Sequence, residues 1–151
     1  MIALSDFKGA WRLTRRIIHD GGQQARFDGV ATFEPLDAGA DAGAGAGALL
    51  LREEGLLRLA GQGGFAANRC YRWGPSEEGA IAVSFDDGRP FHEFDPNAGA
   101  CGDRHWCDPD LYAVRYDFSH WPRWSSRWRV DGPRKSYTMF STYVRDDRAG
   151  A

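Results

Sequence analysis

The densest group of chemically able side chains in the sequence is His105-Trp106-Cys107-Asp108-Pro109-Asp110-Leu111-Tyr112, which reads as one short polar loop. It offers an imidazole, a thiol, two carboxylates and a phenol. An imidazole passes protons in either direction near neutral pH, and a carboxylate beside it holds the ring in place. His105 with Asp110 is therefore a candidate acid–base pair, and Lys135 a candidate cation for negative charge that develops in a reaction. Such a set suits an isomerase, cyclase or hydratase. His105 and Cys107, two apart on an extended chain, share a face and could give two zinc ligands. A zinc site takes three or four, no second paired motif exists, and so no metal is expected. The same pair would let His105 activate Cys107 as a nucleophile, although free cysteine is more often a small buried hydrophobe. The plain structural alternative is a loop in which Asp110 accepts backbone amides and His105 is a structural donor.

The elements that must position these residues are strands. Almost every segment alternates with period two. Trp11, Leu13, Arg15 and Ile17 share one face of the first strand. Further strands are expected at Phe27–Glu34, Leu49–Leu59, Phe65–Trp73, Ala80–Phe85, Pro90–Phe94, Leu111–Phe118, Trp124–Asp131 and Lys135–Arg145. Asp20-Gly21-Gly22, Gly61-Gln62-Gly63-Gly64, Asp86-Asp87-Gly88 and Asp131-Gly132-Pro133 carry turn chemistry between them. Only Leu4–Lys8 suggests a helical turn, with Ser5 as its cap. About nine strands without covering helices favour closure, which removes exposed edges. The expected fold is all-β, a closed antiparallel up-and-down barrel of about 8–10 strands with a short N-terminal helical turn.

A chain of 151 residues is expected to form one domain, spanning 1–151. Residues 37–48 are low-complexity and read as a flexible insertion, because nothing there repays its ordering entropy. A formal net charge of -2 gives no general attraction for a polyanion. Trp121–Arg129 interleaves aromatics with arginines, as single-strand nucleic-acid surfaces do. Its strict alternation reads instead as a half-buried strand, so no nucleic acid is expected. No run of about 18 apolar residues spans a membrane, the N-terminus lacks a signal-peptide pattern, and three cysteines make no disulfide framework. The expectation is a cytoplasmic protein, and the Gly, Ala and Arg richness fits a bacterial source.

Phe7-Lys8-Gly9-Ala10-Trp11 resembles the Gly-x-Trp signature that opens calycin (lipocalin-like) barrels. The resemblance implies that Gly9 and Trp11 lie at a closed end, with an arginine of the last strand, Arg145, across the indole as a cation–π contact. Asp108–Ala113 is loosely similar to a lipocalin loop-and-strand motif. A fuller likeness is to a bacterial domain-of-unknown-function family also found fused to larger flavin-type proteins. It rests on Gly9-x-Trp11-x-x-x-Arg15, Glu54, Arg69-x-Tyr71, Phe91-His92, His105-x-Cys107-x-x-Asp110-x-Tyr112 and Gly132-Pro133-x-Lys135-x-Tyr137. The family brings no established activity. Haem barrels that also open with Gly-x-Trp continue with a further glycine, whereas Arg12-Leu13-Thr14 follows here, and no cofactor is expected.

If Trp11 and Arg145 point inward, parity turns Arg15, Lys135, Tyr137, Met139, Ser141 and Tyr143 inward too. Buried cations need partners. Glu53 or Glu54 is the natural one for Arg15, and Asp110 or a ligand anion for Lys135. Arg15, Glu54, Arg69, Tyr71, His105, Tyr112, Lys135 and Tyr137 form the candidate ligand-binding set. Three functions follow: a barrel binding a small amphipathic or anionic molecule above an apolar floor around Trp11 and Met139, an enzyme using His105, Asp110 and Lys135, or an accessory interaction domain. A homodimer formed by edge pairing is compatible with each.

Overall fold

The computed structural model describes residues 1–36, 47–98 and 101–147. Ten strands follow in chain order: β1 (Gly9–His19), β2 (Gln24–Pro35), β3 (Leu49–Leu59), β4 (Gly64–Pro75), β5 (Ile81–Phe85), β6 (Pro90–Phe94), β7 (Cys101–Cys107), β8 (Asp110–Asp117), β9 (Trp124–Asp131) and β10 (Ser136–Arg145). The order across the sheet is β6-β5-β4-β3-β2-β1-β10-β9-β8-β7. Each strand pairs with its chain neighbour except at the β6–β7 seam. There no ladder forms among the described residues, and the Glu93 amide donates to Asp103 Oδ2 at 3.0 Å. The chain is thus an all-β, antiparallel, up-and-down barrel, nearly closed.

One strand departs from the sequence reading. His105–Tyr112 is no loop: it is the end of β7, an Asp108-Pro109 turn and the start of β8. Cys101, Asp103, His105 and Cys107 do alternate with Gly102, Arg104 and Trp106, but neither set is apolar. Backbone pairing with β8, not a hydrophobic face, makes this segment a strand. Of the insertion read at 37–48, only Gly47 and Ala48 fall within the described residues.

A 3-10 turn, Leu4–Phe7, closes one end. Ser5 lies inside it and does not cap it; the Asp6 carboxylate accepts the Ala3 amide at 2.8 Å instead. Phe7 is driven into a nest of Trp11, Phe33, Trp73 and Trp124, and its carbonyl accepts the Trp11 indole N–H at 2.8 Å. The Arg145 guanidinium lies 4.0 Å over the Trp11 ring and donates to the carbonyls of Lys8 and Asp6. Gly9, at φ +116°, leaves room for it: a Cβ there would stand 2.9 Å from Arg145 Nη1.

Above this end the interior is nearly solid. Trp124 stacks on Tyr143 at 3.8 Å, and Trp11, Leu13 and Met139 are wholly buried. Each such side chain contributes about 1.5–3 kcal/mol by leaving water, and the aromatic edges and faces interlock as their quadrupoles prefer. Gly29 and Gly55 face each other where β2 and β3 draw together, and a Cβ on Gly29 would stand 2.1 Å from the Glu54 carbonyl. No helix among the described residues is long and apolar enough to cross a membrane.

Candidate functional site

The open end of the barrel is built in three inward layers. The deepest holds a buried ion pair: Arg15 Nη2 lies 3.0 Å from Glu53 Oε1. Arg15 also donates to Glu53 Oε2 at 3.1 Å, Ser141 Oγ at 2.7 Å and the Tyr143 hydroxyl at 3.2 Å, and Tyr143 donates to Glu53 Oε2 at 2.6 Å. Burial opposes the Arg15 charge, but Glu53 outweighs it and raises the guanidinium above its ordinary value. The same burial, with Glu53 adjacent, pushes the Tyr143 phenol well up. This cation is fully answered from within the protein.

Phe91 is the lid on the core. It is 2% exposed and packs against Tyr71, Tyr112, Trp128 and His105. Above it, one cross-strand row runs His19, Tyr137, Val130, Tyr112, His105 from β1 to β7. On the far side, Arg69 stands opposite Glu53, with Tyr71 two residues on. Burial raises the phenols of Tyr71 and Tyr137 above their ordinary values, against the pull of Arg69 near both. Among the described residues no carboxylate pairs with Arg69.

Arg15, Arg69, Tyr71, His105, Tyr112, Tyr137 and Lys135 therefore share one end of the barrel. Two members of the sequence set sit elsewhere than expected. Glu54 is outside the barrel, exposed, with Arg52 Nε 4.0 Å away; Glu53 has the inward parity. Lys135 is not an inward strand residue, because β10 begins at Ser136 and the preceding turn escapes the period-two rule. It lies exposed at the lip, 3.3 Å from Asp110 Oδ2 and 3.4 Å from the Tyr112 hydroxyl. Burial of the ammonium works against its charge, yet the contacts with Tyr112 and Asp110 prevail and raise its pKa.

The acid–base set does not close. The His105 ring rests against Phe91 and Phe85, and no hydrogen bond joins it to Asp110 among the described residues. The four cavities at the mouth, in the core and on the outer face are lined by other residues than His105, Asp110 and Lys135. No trio of His, Cys, Asp or Glu among the described residues could hold a metal.

Among the described residues, aromatic packing fills the space over Trp11 and Met139 where a ligand-sized interior is expected. One small cavity there measures about 20 Å³, room for a single water. Glu53, His92 and Trp124 line it, and His92 Nδ1 and Trp124 Nε1 have no protein partner. His92 is buried and bonded through Nε2 to the Tyr116 hydroxyl at 2.7 Å. Burial holds it down to about 4. At this end of the barrel, open space lies at the mouth. One hollow of about 480 Å³ is lined by Arg69, Tyr71, Phe85, Asp86, Asp87 and Arg89. A cleft of about 50 Å³ between Arg69 and Arg15 is walled by Ile17, Phe27 and Leu57.

A family model described as a family of unknown function, DUF6314, matches residues 7–145. No curated protein matches the sequence. Among solved structures, an S-type phycobiliprotein lyase from Guillardia theta is similar at 14% identity and a TM-score of 0.68, over 97% of this chain and 94% of that one. A DUF3598 protein of unknown function from Nostoc punctiforme is similar at 11% identity and a TM-score of 0.59, over 97% of this chain and 50% of that one. At these identities the likeness is one of fold.

Proposed function

The chain belongs to the DUF6314 family, and on that footing we propose that it binds a small amphipathic anion at the barrel mouth, with Arg69 as the anchor for the acid group. The observation that carries this reading is Arg69 itself: a guanidinium of inward register at a partly apolar opening, with no ion-pair partner among the described residues, while two of the three carboxylates lining the same spaces are held by other cations, Glu53 by Arg15 and Asp87 by Arg89. A guanidinium binds a carboxylate or phosphate with two parallel hydrogen bonds, which fixes orientation as well as charge. Ile17, Phe27 and Leu57 offer the apolar part of the ligand a wall, and the phenols of Tyr71 and Tyr137 offer further donors. Small-molecule sites typically combine apolar walls with a few convergent polar groups in this way. The fold likeness to a phycobiliprotein lyase supports a small-molecule role at the level of the barrel alone.

Native mass spectrometry of freshly purified protein tests the reading. A reproducible excess mass over the denatured chain, lost in Arg69→Ala, supports it. An excess mass retained in Arg69→Ala contradicts the anchor.

A further inference from the structure

The outer face of the barrel carries a feature that the mouth does not explain. One cross-strand row reads Arg115 on β8, Arg127 on β9, Phe140 on β10, Arg16 on β1, Arg26 on β2 and Arg58 on β3, each directly opposite the next. All are exposed, Phe140 at 41%. With strands about 4.8 Å apart, the guanidinium groups are strung along roughly 24 Å. Like charges directly opposite one another destabilise a sheet. Arg26 is relieved by Asp28 at 2.9 Å, but among the described residues Arg16, Arg58, Arg115 and Arg127 have no carboxylate partner. A merely solvated surface scatters its charges. This chain has 21 Asp and Glu against 19 Lys and Arg, yet it lines arginines up in one row and leaves most of them unanswered.

Where the row crosses β8 to β10, the outer face forms an open groove of about 1130 Å³. Arg104, Arg115, Arg127 and Phe140 stand along it, while Gly102 and Ala113 leave its floor low. We infer that this row and groove are a docking track for an acidic polypeptide segment, with Phe140 as its apolar contact.

The charges in and beside the groove select that occupant. Asp117 lines it, and Asp28 flanks Arg26. A nucleic-acid strand carries a phosphate at every nucleotide and cannot avoid these carboxylates. A flat membrane touches only part of a row that wraps round a barrel. A polypeptide can set carboxylates against the arginines, an apolar residue on Phe140 and neutral residues at the aspartates. Complementary charge of this kind governs register and encounter rate, and it is sensitive to salt.

The test uses a fluorescein-labelled peptide in which glutamates flank one central leucine, followed by anisotropy against the full chain. Oligothymidylate of similar length and phosphatidylserine vesicles serve as competitors. The peptide is expected to bind more tightly than either. The double variant R115E/R127E should lower its affinity by about tenfold or more, and Phe140→Ser by a smaller factor. Arg123→Glu, in the β8–β9 connection, should leave it unchanged. R115Q/R127Q provides a neutral check, and its unfolding midpoint should be no lower than that of the parent, since opposed like charges are removed. Tighter binding of the oligonucleotide or the vesicles, or unchanged peptide affinity in folded R115E/R127E, would overturn the proposal.

Discussion

Glu53 and Arg69 face each other across the β3–β4 ladder, yet the Glu53 carboxylate lies 3.0 Å from Arg15. One carboxylate stands between two cations, and the buried one holds it. An unpaired charge costs far more in the core than at a wet rim. Arg69 is thereby left at the mouth with no ion-pair partner among the described residues, as the proposed anion site requires.

Removing that carboxylate should be severe. Glu53→Gln keeps the shape but leaves Arg15 buried and unanswered, and should cost about 3–5 kcal/mol in chemical denaturation. Replacing both partners, Arg15→Met with Glu53→Leu, should recover most of the loss, because the buried charge goes with its counterion. A double variant as unstable as the single would show that Ser141 and Tyr143, not the ion pair, set the energy.

His92 should give stability a pH dependence of fixed sign. Its folded-state pKa is about 4, below the ordinary value of 6.5, because burial disfavours the imidazolium. Above pH 6.5 both states hold it neutral. Between 6.5 and about 4 the unfolded chain takes up a proton that the folded one refuses, so stability falls with pH by about 3 kcal/mol in all. In His92→Phe that component should vanish. The parent's unfolding free energy minus that of the variant, followed from pH 7.5 to 4, should fall as pH falls, and a constant difference would show that His92 is not the cause.

The closed end depends on Arg145 as cation and donor together. Arg145→Ala loses the contact with Trp11 and two carbonyl hydrogen bonds, and should cost about 2–3 kcal/mol. Arg145→Lys should restore only part of this, since one ammonium cannot cover the indole and reach both carbonyls. Gly9→Ala should cost about 1–2 kcal/mol, through its positive φ and the crowding of Arg145. Thermal unfolding of the three variants checks the ranking.

The barrel was readable because alternation repeats in nearly every strand, and a period-two signal survives errors of a residue or two at the ends. The site was readable only in part, for a physical reason. In β3, Leu49, Leu50 and Leu51 are all apolar, and Leu56 and Leu57 follow. Both parities therefore look hydrophobic, and nothing in the string separates inward Glu53 from outward Glu54. In β7 the opposite holds, because neither parity is apolar. Val83 and Ser84 carry a register irregularity against β6, where Phe91 and His92 are both buried, so alternation alone misplaces His92. The filled interior was also hidden: a list of aromatic residues does not say whether they line a cavity or close it.

Whether Arg69 anchors an anion at the mouth can be read from a fluorescence titration with anilinonaphthalene sulfonate, an amphipathic anion. The parent protein should bind it saturably at one site. Arg69→Ala should bind about tenfold more weakly or worse, a loss of about 1.4 kcal/mol, with an unchanged unfolding midpoint, because Arg69 is exposed. Glu54→Gln, on the outer face, should bind like the parent. Equal affinity in the parent and Arg69→Ala would contradict the account.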